Sequence, residues 1–360
     1  MKFIGLTLGF NPEPRLTSKQ KLDGVVAAAV WAENAGLDGF GVGEHHTPDT
    51  EISAPPVILA NIAARTSTLR LFTGVTVLSV LDPVRVAEDY ATLDNLSDGR
   101  LEIIIGKGNT PLQGKVFGYP ADDQWQRNAE KYALLHQLIH QQTVTWSGRY
   151  RPALEDFSPR PDWLQTPPRV WHGSATSTQS TELAARFGDP LFSANVTGKQ
   201  EQYRQLVDDY RQRWQDFGRD PADALVGSGA AAFHVAATSQ QAHAEFEPYF
   251  IERLNRASSF KQQVPFNSLA EAIEGGSYYV GSPEQVLDKL HRAHLLLGHE
   301  LQHIGEVDLA DPVRLAGLEA FATEVLPRAR TIPDRLWDHV PGGSDGEKSV
   351  QDNEFQGASV

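Results

Sequence analysis

The feature that most constrains this chain is an alternation. Short apolar, β-branched runs and segments of helical period follow one another eight times between the first residues and about residue 330. The strand-like runs are residues 3–10, 38–44, 69–78, 100–106, 169–172, 190–195, 231–236 and 300–307. Thr17 opens the first helix with Gln20 at capping-box spacing, and Leu22, Val25, Val26 and Ala29 then form one apolar stripe. Strands that alternate with helices, without a cluster of hairpins, imply a parallel sheet covered by helices. A doubly wound open sheet and a closed (β/α)8 TIM barrel both satisfy that pattern. Chain length and the polar or Gly-rich ends of the second, third and fourth strands favour the barrel, with insertions in the C-terminal-face loops. Residues 1–330 are expected to form a single barrel domain. Residues 341–360, rich in Gly, Ser and Asp and without hydrophobic periodicity, are expected to be a disordered acidic tail.

Composition excludes several functions. With no cysteine among 360 residues there are no disulfides, thiolate metal sites, iron–sulfur clusters or cysteine nucleophiles. The net charge of −14 argues against nucleic acid, whose phosphates demand a basic face. No apolar run is long enough for a membrane span, and the apolar start is too short for a secretory signal. The expected location is the cytoplasm.

In a barrel, chemistry gathers at the C-terminal ends of strands. The second strand ends Gly39-Phe40-Gly41-Val42-Gly43-Glu44-His45-His46. Alternation puts the three glycines and His45 on one face, with Phe40 and Val42 packing outward. Either the glycines leave a void that a flat cofactor ring fills, or they permit tight packing. Gly74, mid-strand, marks a bulge or a close backbone approach to a ligand, or is mere packing. The fourth strand ends in Gly106-Lys107-Gly108-Asn109, where a lysine and backbone amides suit an anion but lack Walker-A spacing. Gly173-Ser174-Ala175-Thr176 precedes a helix; its amides suit a phosphate, or Thr176, Ser177 or Thr178 simply caps the helix. Adjacent histidines on a strand face opposite ways and no third ligand has a partnering spacing, so no metal site is expected.

Taken in order, Val42-Gly43-Glu44-His45-His46, Asp82-Pro83-Val84-Arg85, Leu96-Ser97-Asp98-Gly99-Arg100, Gly106-Lys107-Gly108, Val116-Phe117-Gly118, Trp171-His172-Gly173-Ser174-Ala175 and Gly281-Ser282-Pro283-Glu284-Gln285-Val286 resemble the bacterial luciferase-like, flavin-dependent monooxygenases, in particular the FMN-using subgroup. The resemblance implies a homodimeric TIM barrel binding FMN at the strand ends. Reduced FMN would come from a separate reductase, and dioxygen would oxidise a small organic substrate. It places the family's catalytic histidine on His45 and its non-proline cis peptide on Gly74-Val75. Its phosphate contacts fall on Lys107, Asn109, Arg127, Gly173, Ser174, Ala175 and Thr176. Lys107 stands where the family has arginine, keeping charge but losing the planar fork. Phe10, Trp146, His172 and Asn195 are taken as substrate-pocket candidates, and residues 157–168 and 256–278 as lids. Three other readings stand beside this one: a deazaflavin-dependent oxidoreductase on the same barrel, a non-catalytic flavin-binding barrel, and a metal-dependent barrel hydrolase.

Overall fold

The computed structural model describes residues 1–11, 15–259 and 265–337. The tail at 341–360 and residues 260–264 of the second excursion lie outside the described residues. The barrel strands are β1 (Lys2–Thr7), β2 (Gly39–Val42), β3 (Arg70–Thr73, resuming at Thr76–Val77), β4 (Leu101–Gly106), β5 (Arg169–Ser174), β6 (Leu191–Ser193), β7 (Val226–Ser228) and β8 (Leu301–His303). Every neighbouring pair is parallel, β8 returns to β1, and β3 joins β4, so the sheet closes. This is the expected (β/α)8 barrel. Helices α1 (Ser18–Asn34), α2 (Pro55–Ala63) and α3 (Pro83–Leu96) follow the first three strands. The short α4 (Pro111–Val116) and long α5 (Gln124–His140) follow β4, then α6 (Thr178–Phe187) and α7 (Gln200–Asp216) follow β5 and β6. The predicted Thr17–Gln20 capping box is present.

The interior is packed. Ile4, Phe72, Ile104, Trp171, Phe192 and Leu301 form a cluster along the axis, joined by Trp337. At this N-terminal end Glu102 is buried, and it meets Arg70 at 2.6 Å, Arg169 at 3.4 Å and the Trp171 indole N–H at 2.7 Å. A carboxylate taken out of water needs such partners, and Trp337 lies beneath the two guanidinium groups.

The structure corrects the seventh strand. Residues 231–236 are outside the barrel: Ala232–Val235 pairs in parallel with Tyr278–Gly281 in a sheet of its own. Between those strands lie α8 (Ser239–Ser259) and α9 (Leu269–Gly275), forming a βαβ insertion around Phe246, Phe250 and Tyr278. The true β7 was hidden because it is short and glycine-centred. A Cβ on Gly227 would stand 2.8 Å from the Phe192 ring, so no apolar residue fits to announce the strand. Helices α10 (Pro283–Leu297) and α11 (Pro312–Ala320) complete the wall.

Residues 157–168 are not a lid. They lead into the N-terminal end of β5, far from the mouth. Asp94 accepts the Leu164 and Gln165 amides at 2.9 and 2.8 Å, and Leu138 accepts the Trp163 indole N–H at 3.3 Å. The described part of 256–278 does reach the mouth side: Gly276 bridges Lys199, and the Ser277 hydroxyl donates to the Asn195 carbonyl.

Candidate active site

The glycines of β2 do not leave an open void. A Cβ on Gly39 would meet the Phe72 ring at 2.6 Å, one on Gly41 Leu6 at 3.1 Å, and one on Gly43 Leu8 at 2.7 Å. Of the two readings, tight packing is the one this structure shows: side chains from β1, from Leu8 just past it and from β3 occupy the space. Val75 does the same one strand over. Its two methyls lie 2.8 Å from a Cβ placed on Gly106 and 2.9 Å from one placed on Gly173. The peptide Gly74-Val75 is cis. Leu6, Phe72 and Val75 thus make an apolar floor on which the strand ends stand.

Above that floor β2 delivers three polar residues in a row. His45 is half-buried, its amide donates to the Ile52 carbonyl at 2.9 Å, and its ring stacks on Phe10 at 5.8 Å between centroids. Burial holds its pKa below the ordinary histidine value; the Asp49 and Glu44 carboxylates oppose this without reversing it. The imidazole is therefore neutral at pH 7, able to give or take a proton.

Glu44 and His46 have a role that the sequence pattern alone does not assign. Glu44 is 3 % exposed. One oxygen accepts the Val77 amide at 2.9 Å and the other lies 2.9 Å from His46 Nε2. The His46 ring meets Phe117 edge-on at 4.7 Å. A glutamate directly after an apolar strand was the available signal, since such a charge is buried only when it has partners.

Beyond β3 lie β4 and β5, neighbours in register from Glu102↔Arg169 to Ile105↔His172, so Lys107 and the 173–176 loop emerge side by side. Lys107 is partly buried, which lowers its pKa; it donates to the Gly108 carbonyl at 3.1 Å and lies 5.5 Å from the Trp125 ring. Gly108, at φ 88°, adopts a left-handed turn. Asn109, Ala175 and Thr176 are exposed. Ser177, not Thr176 or Thr178, caps α6, and Ser174 Oγ accepts the Ser177 amide at 3.0 Å.

Arg127 sits differently. It is 1 % exposed, and all three guanidinium nitrogens are engaged, with the Ser79 carbonyl, Asp123 and the Pro120 carbonyl. Ser79 in turn donates to the Lys107 carbonyl at 2.6 Å, so Arg127 braces the lysine loop.

Of the four pocket candidates, only Phe10 reaches His45. His172 is on the outer face of β5, beside Asp189 at 3.0 Å and edge-on to Tyr132 at 4.5 Å. Strand alternation explains it: Trp171 points inward, so His172 points out. Trp146 belongs to a hairpin of Val144–Trp146 and Leu154–Phe157, where Gly148 lies between its indole nitrogen and Glu130. Asn195 does follow β6, but its amide is consumed by Ser193 at 2.6 Å and Ser228 at 2.9 Å. A cavity of about 460 Å³ opens at the other end of the barrel, lined by His136, His140, Asp189, Trp214 and Arg219 among others, and has no part in the mouth. Among the described residues no group of three or more His, Asp or Glu side chains is arranged to hold a metal ion.

The chain is 29 % identical over 325 residues (83 % of this chain and 85 % of the relative) to 4-hydroxyprotoasukamycin monooxygenase of Streptomyces nodosus subsp. asukaensis. It is 24 % identical over 336 residues (86 % and 91 %) to the oxygenase component of the flavin-dependent trigonelline monooxygenase of Acinetobacter baylyi. An F420-dependent glucose-6-phosphate dehydrogenase of Beutenbergia cavernae is 31 % identical over 54 % of this chain and 58 % of its own length. In structure, the monooxygenase RslO1 of Streptomyces bottropensis superposes with a TM-score of 0.81 over 91 % of this chain and 99 % of its own, at 23 % identity. The oxygenating constituent of 3,6-diketocamphane monooxygenase of Pseudomonas putida, solved with FMN, gives 0.75 over 91 % and 98 %, at 19 % identity. The sequence pattern of the family described as luciferase-like monooxygenase matches residues 1–300, and the chain belongs to that family.

Proposed function

We propose that this protein is the oxygenase of a two-component, FMN-dependent monooxygenase, oxidising a small organic substrate with dioxygen. The observation that carries the reading is His45: a half-buried, neutral imidazole beside Phe10, over an apolar floor at the C-terminal mouth. The residues present suit the cofactor. A flat ring would rest on the floor of Leu6 and Val75 beside Gly74. Lys107, Asn109 and the amides of Gly173, Ser174, Ala175 and Thr176 would take the phosphate, at the N-terminus of α6. Arg127 would act by holding Ser79 and so Lys107, in place of direct contact.

Bound reduced FMN supplies the activation of dioxygen. The chain's own residues do the rest. His45 Nδ1 or Nε2 would take or return one proton beside the bound cofactor. Glu44 fixes His46, and through Val77 it ties β2 to the second half of β3. Leu6, Phe72 and Val75 keep water from beneath the site. A separate reductase, a homodimeric assembly and a cytoplasmic location complete the proposal. The reductase is supported by the name of the trigonelline relative, an oxygenase component. No described helix is long and apolar enough to cross a membrane.

The F420-dependent relative favours a second reading, hydride transfer to or from a deazaflavin on the same barrel. Titrating the protein with FMN and with F420, followed by visible absorbance, separates the two. FMN binding, together with a slower return of oxidised-FMN absorbance in air than reduced FMN shows without the protein, supports the first. F420 binding alone supports the second. FMN binding with the same rate of return in wild type and His45→Ala would leave a flavin-binding barrel without the proposed chemistry.

A further inference from the structure

Resting on that reading of the mouth, we propose that the substrate is neutral and apolar, and that Leu112, Val116 and Phe117 on the α4 rim select it. These three side chains are 39 %, 57 % and 39 % exposed, on a segment of six residues next to the site. Large apolar side chains grouped in water mark a contact surface. Their position is fixed by packing. Gln113, on the opposite side of α4, is buried and reaches Gly108, where its Oε1 would lie 2.4 Å from a Cβ. Phe117 is edge-on to His46, and Phe10 stacks on His45, so aromatic rings flank both histidines of β2.

The charges near this rim do not suit an ionic substrate. Glu44 is buried against His46 and the Val77 amide. Burial keeps His45 neutral. Lys107 faces Trp125 and the Gly108 carbonyl on the phosphate side. Asp49, beside His45, and Lys115, on α4, are of opposite sign. A ligand crossing α4 therefore gains by burying apolar surface, and the single charge on α4 itself, Lys115, offers an anion one contact with no second cation on that helix.

The test is calorimetric titration of FMN-loaded protein with camphor and limonene, and with trigonelline and glucose 6-phosphate as charged comparators. Wild type is compared with Leu112→Glu/Val116→Glu, both at exposed positions. Camphor and limonene are expected to bind and the charged pair not to. The double variant should keep its FMN affinity and lose about tenfold or more in affinity for the neutral ligands, the loss expected when apolar contacts are withdrawn. The proposal is overturned if the charged ligands bind as well, if neither neutral ligand binds, or if the variant binds them unchanged. It is equally overturned if the variant changes the oligomeric state in sedimentation, because the rim is then a subunit contact. If FMN itself does not bind, the proposed function fails, and the same titrations on cofactor-free protein still decide the rim.

Discussion

Buried Glu44 and partly buried His46 form a pair just past the end of β2, with 2.9 Å between carboxylate and imidazole, and the second carboxylate oxygen accepts the Val77 amide. Glu44→Gln preserves size and an acceptor for Val77 but removes the charge, and turns an acceptor toward His46 into a donor. The variant is expected to lose about 1–3 kcal/mol of stability in urea unfolding, the cost of a mismatched buried polar group. The His46 ring nitrogens should shift in 15N NMR as the tautomer changes. Unchanged stability and unchanged imidazole resonances would mean that the pair has no such hold.

His45 gives a pH prediction. Its pKa lies below the ordinary value because burial disfavours the imidazolium. If the neutral ring is the working form, turnover is flat through neutral pH and falls as acid protonates it, at a pH below that of a free histidine, ~6.5. His45→Ala should cost about 10²–10⁴-fold in turnover, the usual scale of acid–base assistance, and leave FMN affinity nearly unchanged. An acid limb that persists in His45→Ala would assign it to another group.

The barrel was legible because a period-2 strand followed by a period-3.6 helix leaves a strong pattern, as in β1 with α1. The site was legible only in part, and for a physical reason: a strand end shows which residues are polar but not which partners they find. Glu44 reads as one more charged residue until Val77 and His46 are folded onto it. The β2 glycines invite a void until Leu6 and Phe72, distant in sequence, fill it. His172 was misplaced although simple alternation from inward Trp171 sends it outward. β7 was missed because Gly227 removes the side chain that would have marked it.

Val75 fills the space that Gly106 and Gly173 vacate, and this makes their substitutions interdependent. Gly106→Ala places a methyl 2.8 Å from Val75 Cγ2 and should cost about 1–3 kcal/mol through overpacking. In a Val75→Ala background that methyl has room. The double variant should therefore lose at least about 1 kcal/mol less than the sum of the single losses, a coupling that urea unfolding resolves. Additive losses would show that Val75 does not support β4.

Lys289 on α10 yields the opposite kind of prediction, a stabilising one. It is 5 % exposed, donates to the Ile273 carbonyl and lies 5.5 Å from the Tyr279 ring. Burial, helped by Arg292 and opposed by Glu274, brings its pKa down to about 7. The unfolded chain keeps the ordinary value of about 10.4. Between those values the unfolded state binds more protons, so stability rises with pH across that window; below about pH 7 the folded state carries the full penalty of a buried charge. Lys289→Met removes that penalty, on the order of 5 kcal/mol at about 1.4 per pH unit, but leaves the Ile273 carbonyl unpaired at about 1–3 kcal/mol. The net expectation is a gain of about 2–4 kcal/mol at pH 6 that shrinks or reverses by pH 10. Urea midpoints at the two pH values measure it, and equal midpoints for wild type and variant at pH 6 would mean that the ammonium reaches water.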